Sequence, residues 1–136
     1  MTLRFLLAFA AALAAAASAF AQDPHRKEDA DRHARIAAAH EAAAACLQAG
    51  GKDCEEQLRA ACKGIAVGPH CGLMRQPAEF KDEAAHRAAH RQMAAVHAAA
   101  AQCLQGGTDY KTCQAQLARD CGGIGVGRYC GMRHAH

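Results

Sequence analysis

Eight cysteines fall into two sets of four with nearly the same spacing, and nothing else in the 136-residue chain constrains its fold so strongly. Cys46, Cys54, Cys62 and Cys71 are separated by seven, seven and eight residues, and Cys103, Cys113, Cys121 and Cys130 by nine, seven and eight. Their neighbours recur with them. His33, His40, Leu47, Gln48, Leu58, Ile65, Val67 and Gly72 answer to His90, His97, Leu104, Gln105, Leu117, Ile124, Val126 and Gly131. The offset is 57 through Cys103 and 59 from Cys113 onward, so the second copy carries two extra residues in its Gly-rich turn. A unit of about 50 residues written twice is the reading such self-similarity supports.

The cysteines matter because little else can hold the chain together. Hydrophobic residues make up 51%, but 37 of the 136 residues are Ala and there is no Trp. A core so poor in large side chains implies covalent or metal staples. The first 21 residues read as an export signal: Arg4, an apolar run to about Ala17, then Ala19-Phe20-Ala21 at a cleavage position. Export would put the chain in the periplasm or the extracellular space, where an even set of Cys reads as disulfides. Nothing after residue 21 is apolar enough to span a bilayer, so no membrane insertion is expected once the signal is removed. Loss of Arg4 lowers the formal net charge from +3 to +2, too small to steer the protein to nucleic acid.

Local signals give each copy two helices. Asp23-Pro24 caps and opens a long Ala-rich helix that runs to about Ala49 and stops at Gly50-Gly51. Asp53, with Glu56 three residues on in a capping-box pattern, begins a shorter one. That helix aligns Cys54, Leu58, Cys62 and Ile65 on one face before Gly64, Gly68 and Pro69 turn the chain. In the second copy Pro77 opens a helix to about Gln105, Gly106-Gly107 turns it, and Asp109 or Thr112 caps a helix ending near Cys121. The expected fold is all-α: two tandem disulfide-stapled helical hairpins, residues 22–75 and 76–136, packed through their Ala and His faces.

Helix geometry narrows the disulfide pairing. Cys54 and Cys62 on one helix would be ~12 Å apart, beyond the ~7 Å a disulfide tolerates, which also removes the complementary Cys46–Cys71 bond. Two pairings remain per copy. The local one, Cys46–Cys54 with Cys62–Cys71, suits a hairpin turned at Gly50-Gly51 and gives Cys103–Cys113 with Cys121–Cys130 in the second copy. The rival, Cys46–Cys62 with Cys54–Cys71, requires one helix to slide along the other, so the local pairing is preferred. The cadence Cys-Leu, Cys-x7-Cys and Gly-Val-Gly-Arg before the last Cys loosely resembles the cysteine-rich repeats of Golgi-type secretory proteins. The loops here are shorter, and no site residue follows from the likeness.

Nine His supply the functional signal. His33 and His40, like His90 and His97, are seven apart and so share a helix face. With Ile36, Leu47, Met93 and Leu104 they occupy helix-packing positions, which favours half-buried imidazoles bonded across a hairpin over ligands. His86 and His90 lie one turn apart, the spacing at which two imidazoles chelate one ion, and the pair is not on an evident seam. Asp29 stands where the first copy would have the counterpart of His86. At the other end, Met132, His134 and His136 combine nitrogen and thioether donors of the kind that suits copper.

The chain contains no Cys-x-x-Cys, His-Glu-x-x-His, Gly-x-Ser-x-Gly or P-loop, and its two Tyr and four Phe offer no base-stacking platform. No nucleophile is paired with a base, so an enzyme is not expected. The preferred reading is an exported protein that binds or buffers a transition metal, copper ahead of zinc or nickel. Candidate ligands are His86, His90, His97, Met132, His134 and His136, with His33 and His40 behind them. The alternative is a disulfide-stabilised structural or protein-interaction module that binds no metal.

Overall fold

A computed structural model describes residues 23–133; the expected export signal and the residues His134 and His136 lie outside that range. Four α-helices follow in order: α1 (Pro24–Gln48), α2 (Cys54–Ala61), α3 (Glu83–Gln105) and α4 (Tyr110–Asp120). The described residues form an all-helical fold, as expected from the periodicity, with two isolated β-bridges in place of strands.

The helix ends follow their caps. Asp23 accepts from the His25 N–H and Pro24 occupies the first turn of α1, where a missing donor is harmless. Asp109 caps α4 by accepting from the Thr112 N–H at 3.0 Å. Two expectations are corrected. Pro77 opens only a 3₁₀ turn, Pro77–Glu79, and α3 begins at Glu83. The reason is Asp82, whose carboxylate accepts from the Ala85 N–H at 2.7 Å and caps α3 there. At the start of α2, Asp53 makes no side-chain cap bond, so the capping box with Glu56 does not form.

The four disulfides join Cys46 to Cys54, Cys62 to Cys71, Cys103 to Cys113 and Cys121 to Cys130, the local pairing in both copies. All eight cysteines are oxidised, which marks a chain that matures in an oxidising, non-cytoplasmic setting. No helix among the described residues is long and apolar enough to cross a membrane.

The two long helices form the body of the molecule. They run antiparallel, α1 against α3, with His33 facing His97 and His40 facing His90. Ala30, Ala39, Ala43 and Ala44 on α1 and Ala94, Ala100 and Ala101 on α3 are buried. Side chains this small let the two backbones approach, which is how so few large apolar residues suffice. Of the three buried apolar clusters among the described residues, two exchange members between copies, and the third joins Ala30 to Leu104 and Cys113. Met132 packs with Ile36, Leu58 and Ile65, and Leu73 packs with Met93, Val96 and Leu117.

That exchange occurs where the two disulfide loops meet. The Val67 N–H donates to the Gly131 carbonyl and the Val126 N–H to the Gly72 carbonyl; Arg133 donates to Ile65 and Met74 to Ile124. Each bond has its counterpart at the offset of 59 found in the sequence, so the contacts follow an approximate two-fold relation. Gly72 and Gly131 abut at its centre. Both have positive φ (83° and 81°), and a Cβ on Gly131 would collide with the Gly72 Cα.

Candidate metal site

The α1–α3 seam is built on imidazoles. His33, His40, His90 and His97 are each 0% exposed, more deeply buried than the half-buried state expected. They bond to one another and not across a hairpin to carboxylates alone. Nδ1 of His33 lies 2.8 Å from Nδ1 of His97, and Nδ1 of His40 lies 2.8 Å from Nδ1 of His90. The ring centroids are 5.1 Å apart in both pairs.

Backbone carbonyls settle where the protons are. His40 Nε2 is 3.0 Å from the Cys71 carbonyl oxygen, which can only accept. His40 therefore carries its proton on Nε2. Burial lowers its pKa to about 4, outweighing the help of the Cys71 bond, so at neutral pH it has only that one proton. Its Nδ1 must accept, so His90 Nδ1 donates, and the lone pair of a neutral His90 lies on Nε2. The same chain runs through the other pair. His97 Nε2 donates to the Cys130 carbonyl at 3.0 Å, its pKa is lowered to about 4 chiefly by burial, and its Nδ1 accepts from His33 Nδ1.

His90 Nε2 points at a cluster. Glu55 Oε1 is 3.2 Å from it, His86 Nε2 is 3.0 Å from it, and the His86 and Glu55 atoms are 2.9 Å apart. These three residues offer ligand atoms close enough together to hold a metal ion. Three donors at such separations can all reach one ion at the usual ~2.0–2.2 Å for nitrogen and carboxylate ligands.

Each ligand is placed by a different element. His86 and His90 stand one turn apart on α3, as the sequence spacing suggested. Glu55 is in the first turn of α2, which the Gly50-Gly51 turn and the Cys46–Cys54 disulfide fold back toward the seam. His70, in the loop closed by Cys62–Cys71, holds the other oxygen of Glu55, with Nδ1 to Oε2 at 2.8 Å. Phe80 stacks on the His86 ring at 4.9 Å with planes 15° apart, leaving His86 only 7% exposed.

The electrostatics favour the ligating forms. Burial and, after it, the nearby His90 lower the His86 pKa, which keeps that imidazole neutral. Burial pushes the Glu55 carboxyl up, but the adjacent imidazoles of His90 and His70 more than offset it and hold its pKa at about 2. A neutral His86 imidazole beside an ionised Glu55 carboxylate is the protonation state metal binding requires.

The remaining sequence candidates go elsewhere. His33, His40 and His97 are seam residues, and Met132 is buried in the apolar cluster with Ile36 and Leu58. His134 and His136 lie outside the described residues. His90 stands on the seam, contrary to the reading that placed the His86/His90 pair off it, because α1 covers that face of α3 through His40. Glu55 and His70 were not anticipated. A signal for both was present: at the offset of 59 they correspond to Gln114 and Tyr129, and His86 corresponds to Asp29 at the offset of 57. The copies therefore differ at three of the four residues around this cluster while agreeing at His90 and His33. On the other side Asp29 accepts from the Tyr110 hydroxyl at 2.6 Å instead.

No family model, curated protein or solved structure matches the chain.

Proposed function

We propose that this protein binds a divalent first-row transition-metal ion through Glu55 Oε1, His86 Nε2 and His90 Nε2, and serves outside the cytoplasm to retain or buffer that ion. The observation that carries the reading is the convergence of these three atoms within 2.9–3.2 Å of one another. Two imidazoles and a carboxylate suit zinc and copper(II) alike. Copper(II) heads the affinity order that nitrogen and oxygen sites follow, which favours it where both are available. Copper(I) held by thiolates is not part of the reading, because every cysteine is in a disulfide. The export signal in the sequence points to the periplasm or the extracellular space as the place of action. Binding, not turnover, is the proposed role.

The chemistry at the site is a replacement. Without an ion, a proton on His86 Nε2 lies between two acceptors, Glu55 Oε1 and His90 Nε2. Glu55 Oε1, His86 Nε2 and His90 Nε2 would hold a cation in that position, with the His86 proton then carried on Nδ1. His90 needs no such change, since its Nδ1 proton is already engaged by His40.

Titrating Zn²⁺ and Cu²⁺ separately into the oxidised chain tests the reading. One ion per chain should bind at micromolar concentration or below, and Glu55→Ala or His86→Ala should weaken binding at least tenfold, with His25→Ala, at an exposed position, as the unchanged control. A chain that binds neither ion would leave the alternative, a disulfide-stabilised structural or interaction module whose Glu55–His cluster is only a buried polar network.

A further inference from the structure

Both groups that orient the metal ligands from behind come from one disulfide loop. His70 Nδ1 holds Glu55 Oε2 at 2.8 Å, and the Cys71 carbonyl holds His40 Nε2 at 3.0 Å, which in turn holds His90 Nδ1 at 2.8 Å. His70 and Cys71 are adjacent, and the loop they end is closed by Cys62–Cys71. Cys71 itself has φ 54°, the left-handed region that a residue with a side chain occupies only when its surroundings enforce it. The disulfide to Cys62 and the bond from the Gly72 N–H to the Val67 carbonyl at 2.8 Å provide that enforcement.

We infer that the Cys62–Cys71 disulfide conditions the metal site, with His40 and His70 as positioning residues, so that the chain acquires its ion after this bond has formed. The inference rests on the metal-binding reading above. Outer hydrogen-bond partners fix the tautomer and direction of a ligand and typically govern metal affinity by 10–100-fold. Opening this one loop releases two such partners at once. Without Cys71 in place, His40 loses the acceptor that holds its proton on Nε2, and His90 Nε2 is no longer fixed as the unprotonated nitrogen. Without His70 in place, Glu55 is free to turn its carboxylate away.

The other copy contains its own control. Cys121–Cys130 closes a loop of the same length, and its Cys130 carbonyl orients His97 and through it His33. Tyr129 stands in the position of His70, however, and Gln114 in that of Glu55, so this loop holds none of the three metal ligands. Removing either disulfide removes an equal staple; only one removal reaches the site.

The test compares Cys62→Ser/Cys71→Ser with Cys121→Ser/Cys130→Ser in the otherwise oxidised chain. Zn²⁺ affinity is read by competition with a chromophoric chelator, and helix content by circular dichroism. Binding by the first variant should weaken at least tenfold, and binding by the second should stay within threefold of the wild type. Equal weakening in both, or no weakening in the first, overturns the inference while leaving the metal site standing. Failure of the wild type to bind overturns both readings. Should the first variant not fold, His70→Leu and His40→Phe carry the test with all disulfides intact. Each should weaken binding about tenfold, with recovery in His70→Asn, which restores a donor near the Nδ1 position. In His40→Phe the ¹⁵N shifts of His90 should lose the pattern of a protonated Nδ1 and a bare Nε2; an unchanged pattern contradicts the relay.

Discussion

The carbonyl oxygens of Cys71 and Cys130 accept from His40 and His97, and through them determine the tautomers of His90 and His33. Four imidazoles buried at 0% exposure are tolerable only because each has such a partner, since an unpaired polar group there would cost about 1–3 kcal/mol. The arrangement works while the rings are neutral. His97, facing His33 and the Cys130 carbonyl, has a folded-state pKa of about 4 against an ordinary 6.5. Between those values the unfolded chain takes up a proton that the folded chain refuses, so stability falls as pH falls from about 6.5 to 4 and levels off below. For this residue alone the loss is on the order of 3 kcal/mol. Urea midpoints at pH 7, 5.5 and 4 should decline through that window; a flat series would contradict the buried neutral pair. The Glu55 contribution lies lower, lost as pH drops toward its folded value of about 2. The seven-residue His spacing was legible as a packed face, but the partners were not. Whether His33 meets His97 depends on the alignment of α1 against α3, which no local pattern encodes.

Among the helices, the caps decide where the chain enters each element. Asp82 satisfies the Ala85 N–H, whereas Asp53 caps nothing through its side chain. Asp82→Ala should therefore lower stability by about 1 kcal/mol, and Asp53→Ala by a few tenths at most, in thermal melts; equal losses would show that cap geometry is not what separates them. The true start of α3 was hard to read because Pro77 and Asp82 are both legitimate openings. Pro77 fits a first turn, but the chain from Phe80 to Asp82 is needed to lay Phe80 on His86. The disulfides were more legible, since a rise of 1.5 Å per residue forbids pairing along one helix and leaves few choices. Glu55 escaped notice because a first-turn glutamate is the commonest complement to a helix dipole. Only its mismatch with Gln114 marks it as special.

At the level of the whole molecule, the His-lined seam and the meeting of the disulfide loops both tie the copies together. Gly72 and Gly131 lie back to back at the second, each at positive φ and each with the other's backbone where a Cβ would go. Gly72→Ala or Gly131→Ala should each cost at least about 2 kcal/mol, from left-handed strain and backbone displacement together. A denaturation midpoint unchanged in either variant would mean the loops do not pack as described. The staples act at the same scale. Loops of 8–10 residues contribute about 2–3 kcal/mol apiece in the chain-entropy view, a total comparable to the whole stability of a small domain. Full reduction should abolish the cooperative melt, and a reduced chain that keeps one would contradict the idea that covalent bonds compensate for an Ala-rich core. The duplication that makes this architecture visible in the sequence also hides its asymmetry. The two copies share a scaffold, and among the described residues only one side of the seam, where Glu55 of the first copy meets His86 and His90 of the second, assembles a carboxylate and two imidazoles.

That asymmetry is the central claim, and the position of a bound ion tests it most directly. Crystals of the oxidised chain grown with one equivalent of Zn²⁺, measured at the zinc absorption edge, should show a single anomalous peak about 2.0–2.2 Å from Glu55 Oε1, His86 Nε2 and His90 Nε2. A peak bridging His33 and Asp29 instead, or none near Glu55, would contradict it.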